Sequence, residues 1–207
     1  MAAPTPPYRI VTERLVIRCW NPEDGPALQA AVAASLDHLR PFIPWAAREP
    51  QSLDERVSLL RRMRADFDLD QDFDYGIFDA GGGQVVGGTG LHPRIGEEGL
   101  EIGYWVHVGH TGRGYATEVA GALTRIGFEL VELARMEIRC AALNTRSAAV
   151  PRRLGYGLHR TVHDGGVLGD GTLAEQQVWT LFARDYPATA AARTRAAAFD
   201  AAGRRVL

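Results

Sequence analysis

The sequence is short of cysteine, of long apolar runs and of net charge, and each shortage removes a class of function. Two cysteines, Cys19 and Cys140, cannot build a disulfide framework, and their spacing fits no metal site. Both fall in β-prone stretches and are expected as buried free thiols in a reducing compartment. No run of about 18 apolar residues occurs, so no transmembrane helix is expected. The first residues, Met1-Ala-Ala-Pro-Thr-Pro-Pro7, lack a charged segment followed by an apolar one, so a signal peptide is not expected and the cytoplasm is the default. Basic and acidic residues nearly balance, 23 against 25, for a net charge of −2. Such a chain has no global pull toward nucleic acid or an anionic membrane. What is present is an ordinary globular composition, 46% hydrophobic and 23% charged, in 207 residues. That suits one domain with a sizeable core.

The residue pattern predicts an α/β (α+β) domain with a mixed, mostly antiparallel sheet of about seven strands in the order β-αα-βββ-α-β-α-ββ. Residues 1–7 read as a disordered lead, 8–186 as the domain, and 187–207 as an Ala/Arg-rich tail or loosely docked helix. Arg9 to Trp20 reads as the first strand. Asn21-Pro22-Glu23-Asp24 resembles a helix start, and Ser52-Leu53-Asp54-Glu55 is a capping box. Phe73–Asp79 and Gln84–His92 form a hairpin around Gly81-Gly82-Gly83. Leu100 to Val108 is the next strand, and Tyr115 to Glu132 a helix with Val119, Ala122, Leu123, Ile126 and Leu130 facing inward. Arg135–Leu143 should lie parallel to the strand before that helix. The proline-punctuated segment Arg40 to Trp45 is either a core plug or a pocket wall. The acids Asp66, Asp68, Asp70, Asp72 and Asp74 read as a solvated surface, although near an acceptor site they would favour a cation.

The centre of the pattern is the turn Val106-His107-Val108-Gly109-His110-Thr111-Gly112-Arg113-Gly114-Tyr115-Ala116-Thr117-Glu118. It joins a strand to a helix with almost no side-chain bulk, so backbone N–H groups converge at the positive end of the helix, where an anion binds. It is not a Walker loop, because Gly114 is followed by Tyr115-Ala116 rather than Lys-Ser/Thr. Nor is it a dinucleotide fingerprint, because Thr117 stands where the third glycine belongs.

Thr12-Glu13-Arg14-Leu15-Val16-Ile17-Arg18, Leu100 to Val106, Gly112 to Glu118, Asn144-Thr145-Arg146-Ser147 and Leu154-Gly155-Tyr156 together resemble the GNAT superfamily of N-acetyltransferases. The likeness is strongest to the Rim-type branch that contains the ribosomal-protein N-terminal acetyltransferases, and it spans roughly residues 8–184. It implies acetyl-coenzyme A as cosubstrate and a primary amine as acceptor. It also implies a pyrophosphate cradle at Thr111, Gly112, Arg113, Gly114, Tyr115 and Ala116. The main chain near Val106 and Val108 would hold the pantetheine arm and the thioester carbonyl, and Asn144 would hold the pantetheine amide. The family often has Gln or Arg where Thr111 stands, so a side-chain contact is lost there. Many relatives place an acidic tyrosine seven residues after the asparagine; here that position is Pro151, which has no proton to give. Ser147, three residues after Asn144, is the acid the Rim-type branch suggests, and it is equally the type of residue that caps a helix. Glu101 is the first candidate for the base and His92 the second. Glu118 reads as a structural charge at the helix start, and His107 and His110 flank the turn. No metal ligands are expected. The acceptor is expected to be a protein N-terminal α-amine, with an antibiotic or polyamine as the alternative. A non-catalytic acyl-coenzyme A sensor is the alternative from another class, and a homodimer is compatible with the sequence.

Overall fold

The computed structural model describes residues 5–207. Thirteen regular elements form one mixed sheet covered on both faces. The strands are β1 (Arg9–Val11), β2 (Leu15–Cys19), β3 (Phe73–Asp79), β4 (Val85–His92), β5 (Gly99–Val106), β6 (Arg135–Ala141), β7 (Gly157–Val167), β8 (Leu173–Phe182) and β9 (Ala197–Phe199). The helices are α1 (Gly25–Leu39), α2 (Leu53–Asp68), α3 (Tyr115–Glu129) and α4 (Thr145–Leu154). The nine strands lie in the order β7-β8-β6-β5-β4-β3-β2-β1-β9. Every neighbouring pair is antiparallel except β5 and β6, which α3 connects as a crossover.

Strand alternation sends two sets of side chains to two cores. Ile10, Leu15, Ile17, Tyr75, Ile77, Leu91, Ile102, Met136 and Ile138 pack beneath α3 and α4. The face-inward residues of α3 foreseen from the 3.6-residue period, Val119, Ala122, Leu123 and Ile126, are fully buried there. On the other face, Trp20, Phe78 and Val85 meet Leu28 and Val32 of α1 and Leu60 of α2. The capping box at the start of α2 is formed: Ser52 Oγ accepts from Glu55 N, and Ser52 N donates to the Glu55 carboxylate at 2.7 Å. No helix among the described residues is long and apolar enough to cross a membrane.

Three parts depart from the sequence reading. The first strand is two, because Thr12 N donates to Leu15 O at 3.0 Å and folds the chain into a hairpin at residues 12–14. The proline lead beyond residues 1–4, which lie outside the described residues, is anchored. Pro6 and Pro7 are buried, and the Pro7 carbonyl accepts from the Tyr75 hydroxyl at 2.9 Å. The Ala/Arg-rich C-terminal stretch is neither a tail nor a helix. It turns through Tyr186, whose hydroxyl donates to Glu129 at 2.6 Å, and supplies β9 along β1, with Ala198 opposite Ile10.

The connection between α1 and α2 is held by one buried ion pair. Arg56 of α2 reaches Glu49 at 2.6 Å, with side chains only 3% and 4% exposed. Removing one partner leaves the other charge buried and alone, which typically costs about 3–5 kcal/mol. Arg56→Ala is therefore expected to lower the unfolding free energy by that order in a denaturant titration. The double variant Arg56→Met/Glu49→Leu should recover most of the loss, since it leaves no unpaired charge.

Candidate active site

The site forms where the sheet comes apart. β5 and β6 pair from Gly99↔Arg135 to Ile102↔Ile138 and then separate. β6 continues alongside β8 as far as Ala141↔Gln176, and β5 continues alongside β4 as far as Val106↔Gly87. Among the described residues, the β6 side of β5 from Gly103 to Val106 therefore faces no strand. A cavity of about 850 Å³ occupies the opening. Tyr104 and Trp105, adjacent on β5 and so pointing to opposite faces, both line it. The cavity thus runs through the sheet. Leu39, Phe42 and Ile43 wall one side, so the segment Arg40–Trp45 serves as wall at Phe42 and Ile43 and packs on the core at Trp45. Trp45 packs edge-to-face on Trp105 with ring centres 6.0 Å apart.

At one end lies the glycine-rich turn. Gly112 and Gly114 take φ of +77° and +80°, the left-handed region that L side chains avoid, and Gly114 leads directly into α3. The first N–H groups of α3 have no intrahelical acceptor and point into the cavity mouth. Thr111, Gly112, Gly114, Tyr115 and Ala116 all line it. The Thr111 hydroxyl is turned back to the Val108 carbonyl at 3.0 Å. His110 also lines the cavity, with its Nδ1 buried and without a partner among the described residues. Burial, then Arg113 and His107, lowers its pKa, so the neutral imidazole is favoured.

Two residues expected at the cofactor, Val108 on the pantetheine arm and Arg113 in the cradle, are placed otherwise. The Val108 N–H donates to Ser35 Oγ of α1 at 3.1 Å, and its carbonyl takes Thr111, so its main chain is already committed. The Arg113 side chain is exposed and does not line the cavity, while its carbonyl accepts from Arg14 at 3.0 Å. Glu118, one turn into α3, accepts from Thr12 Oγ1 at 2.6 Å and from Arg14 Nε at 2.7 Å, as suits a structural charge.

At the other end, Ser147 and Asn144 line the cavity together. Asn144, not Ser147, is the helix cap: its Oδ1 accepts from Ser147 N at 3.0 Å, which leaves the amide Nδ2 uncommitted by the cap. The Ser147 hydroxyl is free of capping and lies 3.1 Å from the Tyr104 hydroxyl. Burial holds the Tyr104 phenol protonated far above its ordinary range, partly offset by the bond to Ser147. The Cys140 thiol is likewise pushed up by burial, with Ser147 and Trp179 pulling the other way. Tyr104 was not singled out in the sequence. Its partner is 43 residues away, and no local pattern reports where its hydroxyl lands.

Glu101 is not in this cavity. It sits below the point of separation, opposite His92 on β4 and Glu137 on β6. Arg94 holds it at 2.8 Å and Arg139 at 3.3 Å, and its side chain is 9% exposed. Its carboxylate oxygens are occupied by two guanidinium groups and it does not line the cavity, so the first choice of base fails on geometry. Nor is the acidic run between α2 and β3 wholly solvated. Asp72 binds His92 at 2.6 Å, and burial pushes Asp74 up to about 6.

A through-sheet cavity with an anion cradle at one end and hydroxyls at the other fits a long thioester whose phosphates and acyl group lie far apart. Comparisons with known proteins agree. The acetyltransferase (GNAT) domain model matches residues 14–157. YdaF of Bacillus subtilis (strain 168), whose name as a ribosomal N-acetyltransferase is itself an inference, is 28% identical over 159 residues, covering 75% of this chain and 84% of that protein. Mycobacterium smegmatis RimJ in complex with a coenzyme A disulfide superposes with a TM-score of 0.78 at 24% identity, over 90% of each chain. The microcin C7 self-immunity acetyltransferase MccE, bound to acetyl-coenzyme A and AMP, superposes at 0.75 and 17% identity, over 83% of this chain and 93% of that one. The chain belongs to the GNAT family of acetyltransferases and is an N-acetyltransferase that uses acetyl-coenzyme A.

Proposed function

We propose that the acceptor is the α-amine of a protein N-terminus, as in the ribosomal-protein branch to which the chain is similar. The observation that carries this reading is the shape of the entrance. The tip of the β7–β8 hairpin crosses to the end of α1, where Gly169 is buried against the Arg40 carbonyl. Beside this contact the cavity has an apolar wall, formed by Leu39, Phe42 and Ile43. An amine at a chain end can advance through such an opening toward the gap in the sheet. A side chain projecting from the middle of a folded surface is hindered by the hairpin.

In the chemistry proposed, the turn from Thr111 to Ala116 holds the pyrophosphate, and β5 beyond Ile102 takes the pantetheine arm as an added strand. The uncommitted amide of Asn144 meets the pantetheine. Ser147, hydrogen-bonded to a phenol that stays protonated, supplies the proton that the departing thiolate needs.

Two outcomes test this. Peptides with free N-termini should be acetylated at the α-amine. The same peptides blocked at the N-terminus but carrying an internal lysine should not be, and neither should polyamines or an aminoglycoside. Mass spectrometry of the products reads the difference, and preferred labelling of the small molecules would overturn the acceptor assignment. The chain contains no lysine, so labelled acetyl groups cannot accumulate on ε-amines of the enzyme itself. Second, Ser147→Ala should lower kcat by about 10²-fold, the lower end of the general-acid range, with the dissociation constant for coenzyme A unchanged in calorimetry. An unaltered kcat would remove Ser147 from the chemistry.

A further inference from the structure

The proton of the attacking amine needs an acceptor, and Glu101 cannot supply one. The opposite face of β5 carries a different candidate. Residues Glu101, Gly103 and Trp105 point away from Tyr104, to the face that α1 and α2 cover in part. There His92, at the end of β4, lays its ring back across the sheet. A Cβ on Gly90 would come within 2.5 Å of its Cε1 and Nε2, and one on Gly103 within 3.1 Å of Nε2. Gly90 and Gly103 are cross-strand partners, so the imidazole fills the space of two missing side chains. Gly103 is also the first residue of β5 past the last pair with β6. The ring edge therefore lies over the first unpaired residue of β5, next to the residues that line the cavity and not itself among them. Two residues along the same face, Trp105 already lines the through-sheet cavity.

The ring is oriented from behind. His92 Nδ1 meets Asp72 Oδ1 at 2.6 Å, while Nε2 has no hydrogen-bond partner among the described residues. With a carboxylate at Nδ1, the neutral imidazole carries its proton there and offers the lone pair of Nε2 outward. Asp72 from the α2–β3 connection binds the ring, Glu101 of β5 stands opposite it and is tied to Arg94 and Arg139, and Asp74 of β3 feels the charges of His92, Asp72, Arg94 beyond β4 and Asp66 of α2. The Asp72 carboxylate stays hydrogen-bonded to Nδ1 at 2.6 Å while Nε2 takes the proton.

We propose that His92, held by Asp72, is the base that receives the amine proton, on the face of the sheet opposite Ser147. The inference rests on the acetyl transfer described above but not on which amine is the acceptor. The amine nitrogen attacks the thioester carbonyl and forms the C–N bond, and its proton passes to His92 Nε2 directly or through one water. The C–S bond then breaks, and the sulfur takes a proton from Ser147, which regains one from solvent. His92 later releases its proton to solvent, so protons balance over the cycle. Asp72 is a positioning residue. The base and the acid thus stand on the two sides of a sheet that is open only between them.

His92→Gln, His92→Ala and Asp72→Asn test this in the full chain, with a free-amine peptide as acceptor. His92→Gln is expected to lower kcat by about 10²–10⁴-fold, to leave coenzyme A affinity in calorimetry within about twofold, and to abolish the ascending limb of the kcat/KM–pH profile in the imidazole titration range. Asp72→Asn should lower kcat less while keeping a limb, displaced to lower pH because a negative charge has been removed. Added imidazole should restore part of the activity of His92→Ala, a rescue that a purely structural role for the ring would not allow. If His92→Gln binds coenzyme A and keeps both its kcat and the limb, the assignment is overturned and amine acetylation stands. If the wild-type protein acetylates no amine at all, both fall.

Discussion

The separation of β5 from β6 after Ile102 is the constraint on which the rest of the site depends. A sheet interior normally satisfies its main-chain groups strand to strand. Here the parallel pair ends after Ile102↔Ile138 while each strand stays bound to its other neighbour. The result is an unpaired main-chain edge inside the sheet rather than at its rim. Because successive residues of β5 face opposite ways, the gap gives Tyr104 to one face and Gly103 and Trp105 to the other. Both faces then look onto the same space. The anion cradle follows at once, since β5 runs into the turn that opens α3. The asparagine cap and Ser147 follow from β6, which runs into α4. Two parallel strands that feed two helix N-termini and then separate define the cavity, its polar end and its reactive end together.

Much of this was legible in the residues, and what was not failed for identifiable reasons. The period of α3, the hairpin at Gly81–Gly83 and the strand-to-helix turn are local signals, and they form as read. Two errors came from contacts distant in sequence. Glu101 stood on the correct strand, but the residue at which that strand loses its partner is a property of pairing, and one register step decides whether a carboxylate lies in the gap or below it. Val108 stood in the correct turn, but Ser35, 73 residues earlier, takes its N–H. Ser147 was read equally as an acid and as a cap, and the cap is Asn144, three residues before it, which leaves the serine hydroxyl free. The last strand, Ala197–Phe199, has too little β-propensity to announce itself. It exists because β1 offers an open edge and Ala198 fits beneath it.

Two of the segments that carry the family resemblance are also one contact. Thr12 and Arg14, in the turn between β1 and β2, close on Glu118, and Arg14 continues to the carbonyl of Arg113 and lies over the ring of Tyr115 at 4.7 Å. A turn built from glycine has little to hold its shape from within. Here its shape is borrowed from a hairpin about a hundred residues away, which explains physically why the two patterns occur together in this chain.

The contact between the β7–β8 hairpin and the end of α1 is made of main chain against main chain. Gly169 rests on the carbonyl of Arg40, and a single methyl at 169 would overlap it, whereas the Arg40 side chain is exposed. The two ends of the contact therefore differ in how freely their residues can vary. Position 40 can change its charge and size with no effect on the seat, but position 169 admits nothing larger than hydrogen. The seat of the hairpin on α1 is thereby insulated from drift in the surface around it. Phe42, Ile43 and the hairpin flanks can therefore change without unseating the hairpin.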